Sequence, residues 1–253
     1  MTQESKIRGC VMVTGASRGI GAAIAEELAV SGYSVGCLSR TGGAPQRENV
    51  SDEVRARWMP IRCDINDAAA LAVAFETLTR EARAPLVGLV NNAGIHLEGP
   101  SEKFALQDFD RVMSTNATAL LAASQAAFPY LREAGKSVVV NIGSFFDKLG
   151  VKRNVAYCAS KAAVGAITRC LAAEWARHGI RVINVAPGYI VTDLNREEMN
   201  GDALRAFLEK RIPLRAPGEA QDVAHVVASM FGPAGAFMTG ETLYVDGGQG
   251  MAL

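Results

Sequence analysis

Tyr157 and Lys161 stand four residues apart in a helix-like run, and together they are of types that can move a proton. On a helix, residues i and i+4 project from one face one turn apart, so one cation can act on one phenol. A free tyrosine has a pKa near ~10, and a nearby ammonium should stabilise the phenolate and lower it. Tyr157 then becomes a general acid for reducing a carbonyl, or a base for oxidising an alcohol. The pattern YxxxK also occurs by chance in many helices, so its partners matter. Ser144 closes the apolar run SVVVNIGS, at the strand end where open α/β sheets bind ligands. Its hydroxyl can donate to a substrate oxygen, although a turn or cap serine is the ordinary alternative. Asn116 interrupts a helix-like segment, where its amide competes for backbone groups; it marks either a local kink or a functional position.

The elements that must position these residues form an alternating pattern. Short apolar runs near 9–14, 35–39, 57–63, 86–91, 137–143, 180–186 and 242–246 are separated by longer helical stretches. Val138 to Ile142 and Val182 to Ala186 read as apolar on both faces, as in a parallel sheet covered by helices. The fold expected is α/β: a single Rossmann-type doubly wound sheet of seven parallel strands, with helices on both faces. No linker or repeat divides the chain, so residues 1–253 read as one domain. The segment TGGAPQRENVSDEV reads as a long loop or frayed helix. The weakly periodic stretch from Asp193 to Arg215 reads as a mobile lid.

After the first strand comes TGASRGIG, followed at once by a helix that stops near Gly32. Glycines in this place allow a tight turn and bring a pyrophosphate onto backbone N–H groups at the positive end of a helix. Gly15 makes the turn, Gly19 the close approach and Gly21 the helix packing, with Ser17 and Ile20 in the same loop. A purely structural tight turn is the bland alternative. The second strand ends in Ser39-Arg40, where an NAD site usually places an acid. Arg40 can offer a bidentate donor pair to a 2′-phosphate and Arg18 a second cation, so NADP(H) is favoured over NAD(H). Solvated surface arginines are the alternative. Asp64 can accept from the adenine amino group while Ile65 covers the ring; capping the next helix is its other role, which Asn66 or Asp67 could equally serve.

Lys plus Arg equal Asp plus Glu at 26 each. With no net positive field, neither nucleic acid nor an anionic membrane is an expected partner, and a small molecule is. The five cysteines have no CxxC spacing and read as reduced and buried. His96, His178 and His225 have no metal-ligand spacing, so no metal is expected; His96, soon after NNAG, is a candidate for touching substrate. The N-terminus lacks a signal-peptide pattern and no run is long enough to span a bilayer, which reads as a cytoplasmic protein.

Taken together, TGASRGIG, NNAG at Asn91 to Gly94, Ser144, YCASK at Tyr157 to Lys161 and Pro187-Gly188 resemble the short-chain dehydrogenase/reductase family from about Gly9 to Gly248. The pattern is most similar to the 3-oxoacyl-(acyl-carrier-protein) reductase branch. The resemblance implies that Asn116 holds a water relaying protons to Lys161, which also contacts the ribose. It implies cofactor contacts at Asn92, Ala93 and Gly94. It further implies that Pro187, Gly188, Ile190 and Thr192 position the nicotinamide, the backbone of Ile190 and the Thr192 hydroxyl bonding its carboxamide. A homotetramer is implied too.

The expected activity is NADP(H)-dependent interconversion of a carbonyl and a secondary alcohol. A 3-oxoacyl thioester on acyl carrier protein or CoA leads as substrate, with sugar, polyol or xenobiotic ketones as alternatives. Gly135 and His178 stand where carrier-protein reductases commonly have basic residues, although Arg132 and Arg177 are adjacent. Phe145, Phe146, Asp147 and Leu149 imply a more filled pocket. A non-catalytic NADP(H) sensor would be expected to lack one of Asn116, Ser144, Tyr157 or Lys161; all four are present.

Overall fold

A strand covered by helices on both faces must be apolar throughout, and β1 (Cys10–Thr14) is buried along its whole length. The computed structural model describes residues 8–193, 195–199 and 201–251. After β1 come α1 (Gly19–Val30), β2 (Ser34–Ser39), α2 (Asp52–Arg55), β3 (Trp58–Arg62), α3 (Ala68–Ala82) and β4 (Leu86–Asn91). The chain continues through α4 (Leu106–Met113), a π-turn at Ser114–Thr118, α5 (Ala119–Ala134), β5 (Ser137–Ile142), α6 (Val155–Trp175) and β6 (Ile180–Pro187). It ends with β7 (Ile190–Val191), α7 (Arg196–Met199), α8 (Asp202–Arg211), β8 (Gly218–Glu219), α9 (Ala220–Ser229) and β9 (Thr242–Val245).

The main sheet has seven strands in the order β3-β2-β1-β4-β5-β6-β9, every pairing parallel. All seven expected strands are present and the doubly wound topology is as read. Alternate residues of β1 feed opposite cores. Val11 and Val13 pack with Ile24 and Leu28 of α1 and with Val223 and Val227 of α9. Cys10 and Met12 pack with Phe75 and Leu78 of α3, Leu131 of α5 and Trp175 of α6. The strand order reverses between β1 and β4, and the crevice beyond their C-terminal ends is where such sheets bind ligands.

Three departures from the sequence reading have physical causes. The strands read as apolar carry a buried polar row, Asn91, Asn141 and Asn184, opposite one another on β4, β5 and β6. Asn91 Nδ2 donates to Asn141 Oδ1 (2.9 Å) and Asn141 Nδ2 to Thr168 Oγ1 (2.9 Å). Slipping the register would strand these amides, so the row specifies the pairing. Secondly, only Cys10, Cys37 and Cys63 are buried; Cys158 is half-buried and Cys170 exposed, because both ride on α6 away from the sheet. Thirdly, the stretch expected to be a lid contains α7 and α8. Leu208 and Ile212 are buried there against Val191. Leu194 and Asn200 of that stretch lie outside the described residues. Among the described residues no helix is long and apolar enough to cross a membrane.

Candidate active site

The glycine loop between β1 and α1 adopts conformations that side chains disfavour. Gly15 and Gly19 have φ of 66° and 56°, and a Cβ on Gly21 would lie 2.1 Å from the Gly15 carbonyl oxygen. The loop after β4 is stapled to it. Asn92 Nδ2 donates to the carbonyls of Thr14 (2.9 Å) and Gly15 (3.1 Å), and Thr14 Oγ1 accepts from the N–H groups of Asn92 and Ala93 (3.0 Å each).

A cavity of about 690 Å³ runs along this loop. It is lined by Gly15, Ser17, Arg18, Gly19, Ile20, Gly21, Ser39, Arg40, Asp64, Ile65, Asn92, Ala93, Gly94, Tyr157 and Thr192, all residues singled out from sequence. Arg18 and Arg40 are exposed on its wall. Of the two roles open to Asp64, capping the helix belongs to Asp67, whose carboxylate accepts from Ala70 N–H (3.0 Å). Asp64 instead accepts from the Asn66 backbone and side chain (3.0 Å each), which, with Arg40 nearby, hold its carboxyl below the usual range. Arg111, Ser114 and Thr115 also line the cavity and were not foreseen. Arg111 lies on a polar helix with no motif to mark it. Left-handed glycines at the start of α1, with three arginines along the same cavity, suit a phosphorylated dinucleotide.

A second cavity of about 220 Å³ adjoins the first through Ile20, Asn92, Gly94, Ile95 and Tyr157, and adds His96, Ser144, Lys161, Pro187 and Gly188. The extended backbone of Ser144 just after β5 (φ −168°) and the first two turns of α6 bring Ser144, Tyr157 and Lys161 together there. Phe146 and His96 flank the phenol, at ring-centroid distances of 5.8 and 4.7 Å.

The proton chemistry differs from the sequence expectation. Burial pushes Tyr157 up to about 12, and the hydrogen bond from Ser144 only partly opposes this. Burial also pushes Lys161 down to about 8; its Nζ lies 5.5 Å from the phenol centroid and donates to the Ile142 carbonyl (2.8 Å). The expected lowering of the phenol by the ammonium is thus outweighed by the loss of water around the half-buried Tyr157 and the buried Lys161.

Asn116 sits in the π-turn, so the kink and the functional position are the same feature. Its Oδ1 accepts from Ile95 N–H (2.8 Å), and its Nδ2 donates to the Ile95 carbonyl (2.9 Å) and to Ser160 Oγ (3.0 Å). Both amide hydrogens are therefore committed to the protein.

Of the residues singled out from sequence, Asn116 and Ile190 line neither cavity described, and the Ile190 carbonyl accepts from Asn195 Nδ2 (2.9 Å). Asn195 Oδ1 in turn accepts from Thr192 N–H (2.7 Å) and Thr192 Oγ1 (3.1 Å). Asp193 Oδ1 accepts from Gly19 N–H (3.1 Å) at the start of α1. The groups assigned to a carboxamide and a pyrophosphate thus have protein partners of matching chemistry, which no sequence spacing indicates.

The family profile described as Enoyl-(Acyl carrier protein) reductase matches residues 15–249. A tropinone reductase homolog of Arabidopsis thaliana is 33% identical over 240 residues, covering 94% of this chain and 88% of that protein. A 3-oxoacyl-(acyl-carrier-protein) reductase of Staphylococcus aureus is 32% identical over 249 residues, covering 97% and 100%. Neither branch stands out over the other. Among solved structures, a gluconate 5-dehydrogenase from Burkholderia cenocepacia in complex with NADP and tartrate superposes with a TM-score of 0.86 at 27% identity, covering 98% of this chain and 97% of that one.

Proposed function

Since the chain belongs to the short-chain dehydrogenase/reductase superfamily, whose chemistry links CH–OH and C=O groups, we propose that it interconverts a compact ketone and its secondary alcohol using NADP(H). The observation that carries this reading is the 220 Å³ cavity, where Ser144, Tyr157 and Lys161 meet against the wall of the dinucleotide cavity.

The residues present fit the cofactor. Arg18 and Arg40 would take a 2′-phosphate, the Gly19 N–H and the start of α1 the pyrophosphate, and Asp64 with Ile65 the adenine. Asn92, Ala93 and Gly94 would border the ribose, and Pro187, Gly188, Ile190 and Thr192 the nicotinamide. NADP in the related gluconate 5-dehydrogenase supports this preference. When bound, the nicotinamide supplies hydride chemistry.

In the reducing direction Ser144 donates a hydrogen bond to the substrate oxygen and Tyr157 gives that oxygen its proton. Tyr157 holds its proton at neutral pH and can give it, although burial, by raising its pKa to about 12, makes it a weaker acid than a free phenol. Lys161, still cationic at neutral pH with its pKa near 8, favours the phenolate left behind. Asn116 acts one step away, holding Ile95 and Ser160 in place.

The small volume of the reactive cavity, about 220 Å³, supports a compact substrate. The alternatives of sugar, polyol or xenobiotic ketone fit this description. A 3-oxoacyl thioester on acyl carrier protein or CoA is the second reading, supported by the likeness to the Staphylococcus aureus reductase. Assembly as a homotetramer, a cytoplasmic location and a single domain over 1–253 belong to the same proposal. Sedimentation tests the first.

The deciding experiment follows NADPH at 340 nm with a panel of ketones, sugars and acyl thioesters. Turnover that Tyr157→Phe reduces by about a hundredfold or more, with NADPH affinity nearly intact, is the expected result. Tight NADPH binding without turnover of any compound would instead support a sensor.

A further inference from the structure

His96 lies in the loop after β4, lines the small cavity beside Ser144, Tyr157 and Lys161, and stacks on the Tyr157 ring at a tilt of 57°. Its Nε2 is hydrogen bonded to Asn154 Oδ1. Asn154 is buried and sits just before α6, three residues ahead of Tyr157. Its Nδ2 donates to the Lys152 carbonyl (2.9 Å). That bond orients the amide: nitrogen faces a carbonyl, so oxygen faces the imidazole. An amide oxygen only accepts, so Nε2 must hold a hydrogen, and in the neutral ring Nδ1 is then a bare acceptor.

The arrangement is braced from both sides. Asn116 grips the backbone of Ile95, the residue before His96. Gly99 N–H donates to the Arg153 carbonyl (2.8 Å), tying the His96 loop to the residue before Asn154. The ring and the amide that sets its tautomer are held by segments bonded to each other.

Resting on the reading that Tyr157 and Ser144 hold the reacting oxygen, we propose that His96 is a specificity-determining residue. Its Nδ1 accepts a hydrogen bond from a hydroxyl on the carbon next to the reacting carbonyl. The substrate class is the α-hydroxy ketone and its vicinal diol, as in polyols and sugars. Two rings 4.7 Å apart can address neighbouring oxygens of one small molecule, the phenol giving a hydrogen to one and the imidazole accepting from the other. A site that bonds a hydroxyl through a fixed acceptor favours the substrate carrying it over the analogue that lacks it.

The test compares 2-hydroxycyclohexanone with cyclohexanone as NADPH-linked substrates and reads the ratio of their kcat/KM values. In the native protein the hydroxy ketone is favoured by about tenfold or more. His96→Leu brings the ratio close to one, chiefly through KM of the hydroxy ketone. Asn154→Leu frees Nε2 to exchange tautomers and lowers the ratio without touching substrate; it decides the matter should His96→Leu fail to fold. A merely structural role for His96 would depress both substrates in parallel and leave the ratio unchanged, and that result overturns the proposal, as does a native ratio near one. Absence of turnover with either ketone, despite NADPH binding, would overturn the underlying reading of the site as well.

Discussion

The side chain of Asn116 is hydrogen bonded in both directions to the backbone of Ile95, accepting from its N–H at 2.8 Å and donating to its carbonyl at 2.9 Å. This reciprocal pair joins the π-turn before α5 to the loop after β4, and so couples a helix interior to the wall of the reactive cavity. Asn116→Ala leaves two part-buried backbone groups without partners, a cost of about 1–3 kcal/mol. Calorimetry should register this as a drop of about 2–10 °C in Tm, with a loss of turnover because the loop carrying His96 loses its anchor. An unchanged Tm would mean that water replaces the amide.

The arginines at the far end of the cofactor cavity should set the choice of dinucleotide. An acid in place of Arg40 repels a 2′-phosphate and offers an acceptor to a ribose hydroxyl. Arg40→Asp is therefore expected to lower the NADPH to NADH ratio of kcat/KM by about a hundredfold, or ~2.7 kcal/mol. Steady-state kinetics with both cofactors checks it, and an unaltered ratio would remove Arg40 from the site.

Asp193 holds the Gly19 N–H that a pyrophosphate needs, and it adds a negative charge there. Asp193→Asn should lower the Kd for NADPH by about twofold to fivefold, since the attraction of the carboxylate to the helix N-terminus, which a pyrophosphate must displace, is worth ~0.3–1 kcal/mol. Fluorescence titration reads the change directly. Weaker binding in the variant would assign Asp193 to holding the cofactor loop rather than to competing with the phosphate.

Lys161 makes stability depend on alkaline pH with a definite sign. Below pH 8 folded and unfolded chains both hold its proton, and the burial cost is fully present. Between about 8 and 10.5 the unfolded chain binds more protons, so stability due to this residue rises with pH across that window. Tyr157 acts oppositely but later: its folded pKa of about 12 against 10 makes stability fall above pH 10. Denaturant titrations at pH 7.5 and 9.5 should differ between the native protein and Lys161→Met, the native chain gaining relative to the variant at the higher pH. No relative gain would mean that water reaches Lys161 Nζ.

Periodicity and punctuation made much of this fold legible. Runs such as CVMVT and SVVVNI announce strands buried on both faces. Gly15, Gly19 and Gly21 announce a turn that only glycines can make, because a Cβ on Gly21 would strike the Gly15 carbonyl. The i, i+4 spacing of Tyr157 and Lys161 is a property of any helix, so it needs no tertiary information. Arg111 was not legible: it reaches the cofactor cavity from a polar helix whose pattern says only that one face is solvated. Nor was Asn154, whose value lies in orienting a histidine far away in sequence.

The chain's residues by themselves determined the alternation of strands and helices, the glycine turn and the candidate set of Ser144, Tyr157 and Lys161, because each can be read from local spacing and from backbone constraints carried by neighbouring residues. Only the tertiary structure decided the protonation of that set, the tautomer of His96 and the partners of Asn116, Asp193 and Asn195. Those depend on how much water reaches a group and on which distant donor or acceptor faces it. Burial reversed the expected direction at Tyr157 for that reason: the ammonium one turn away is a sequence property, whereas the loss of solvent around both groups is a property of the packed site.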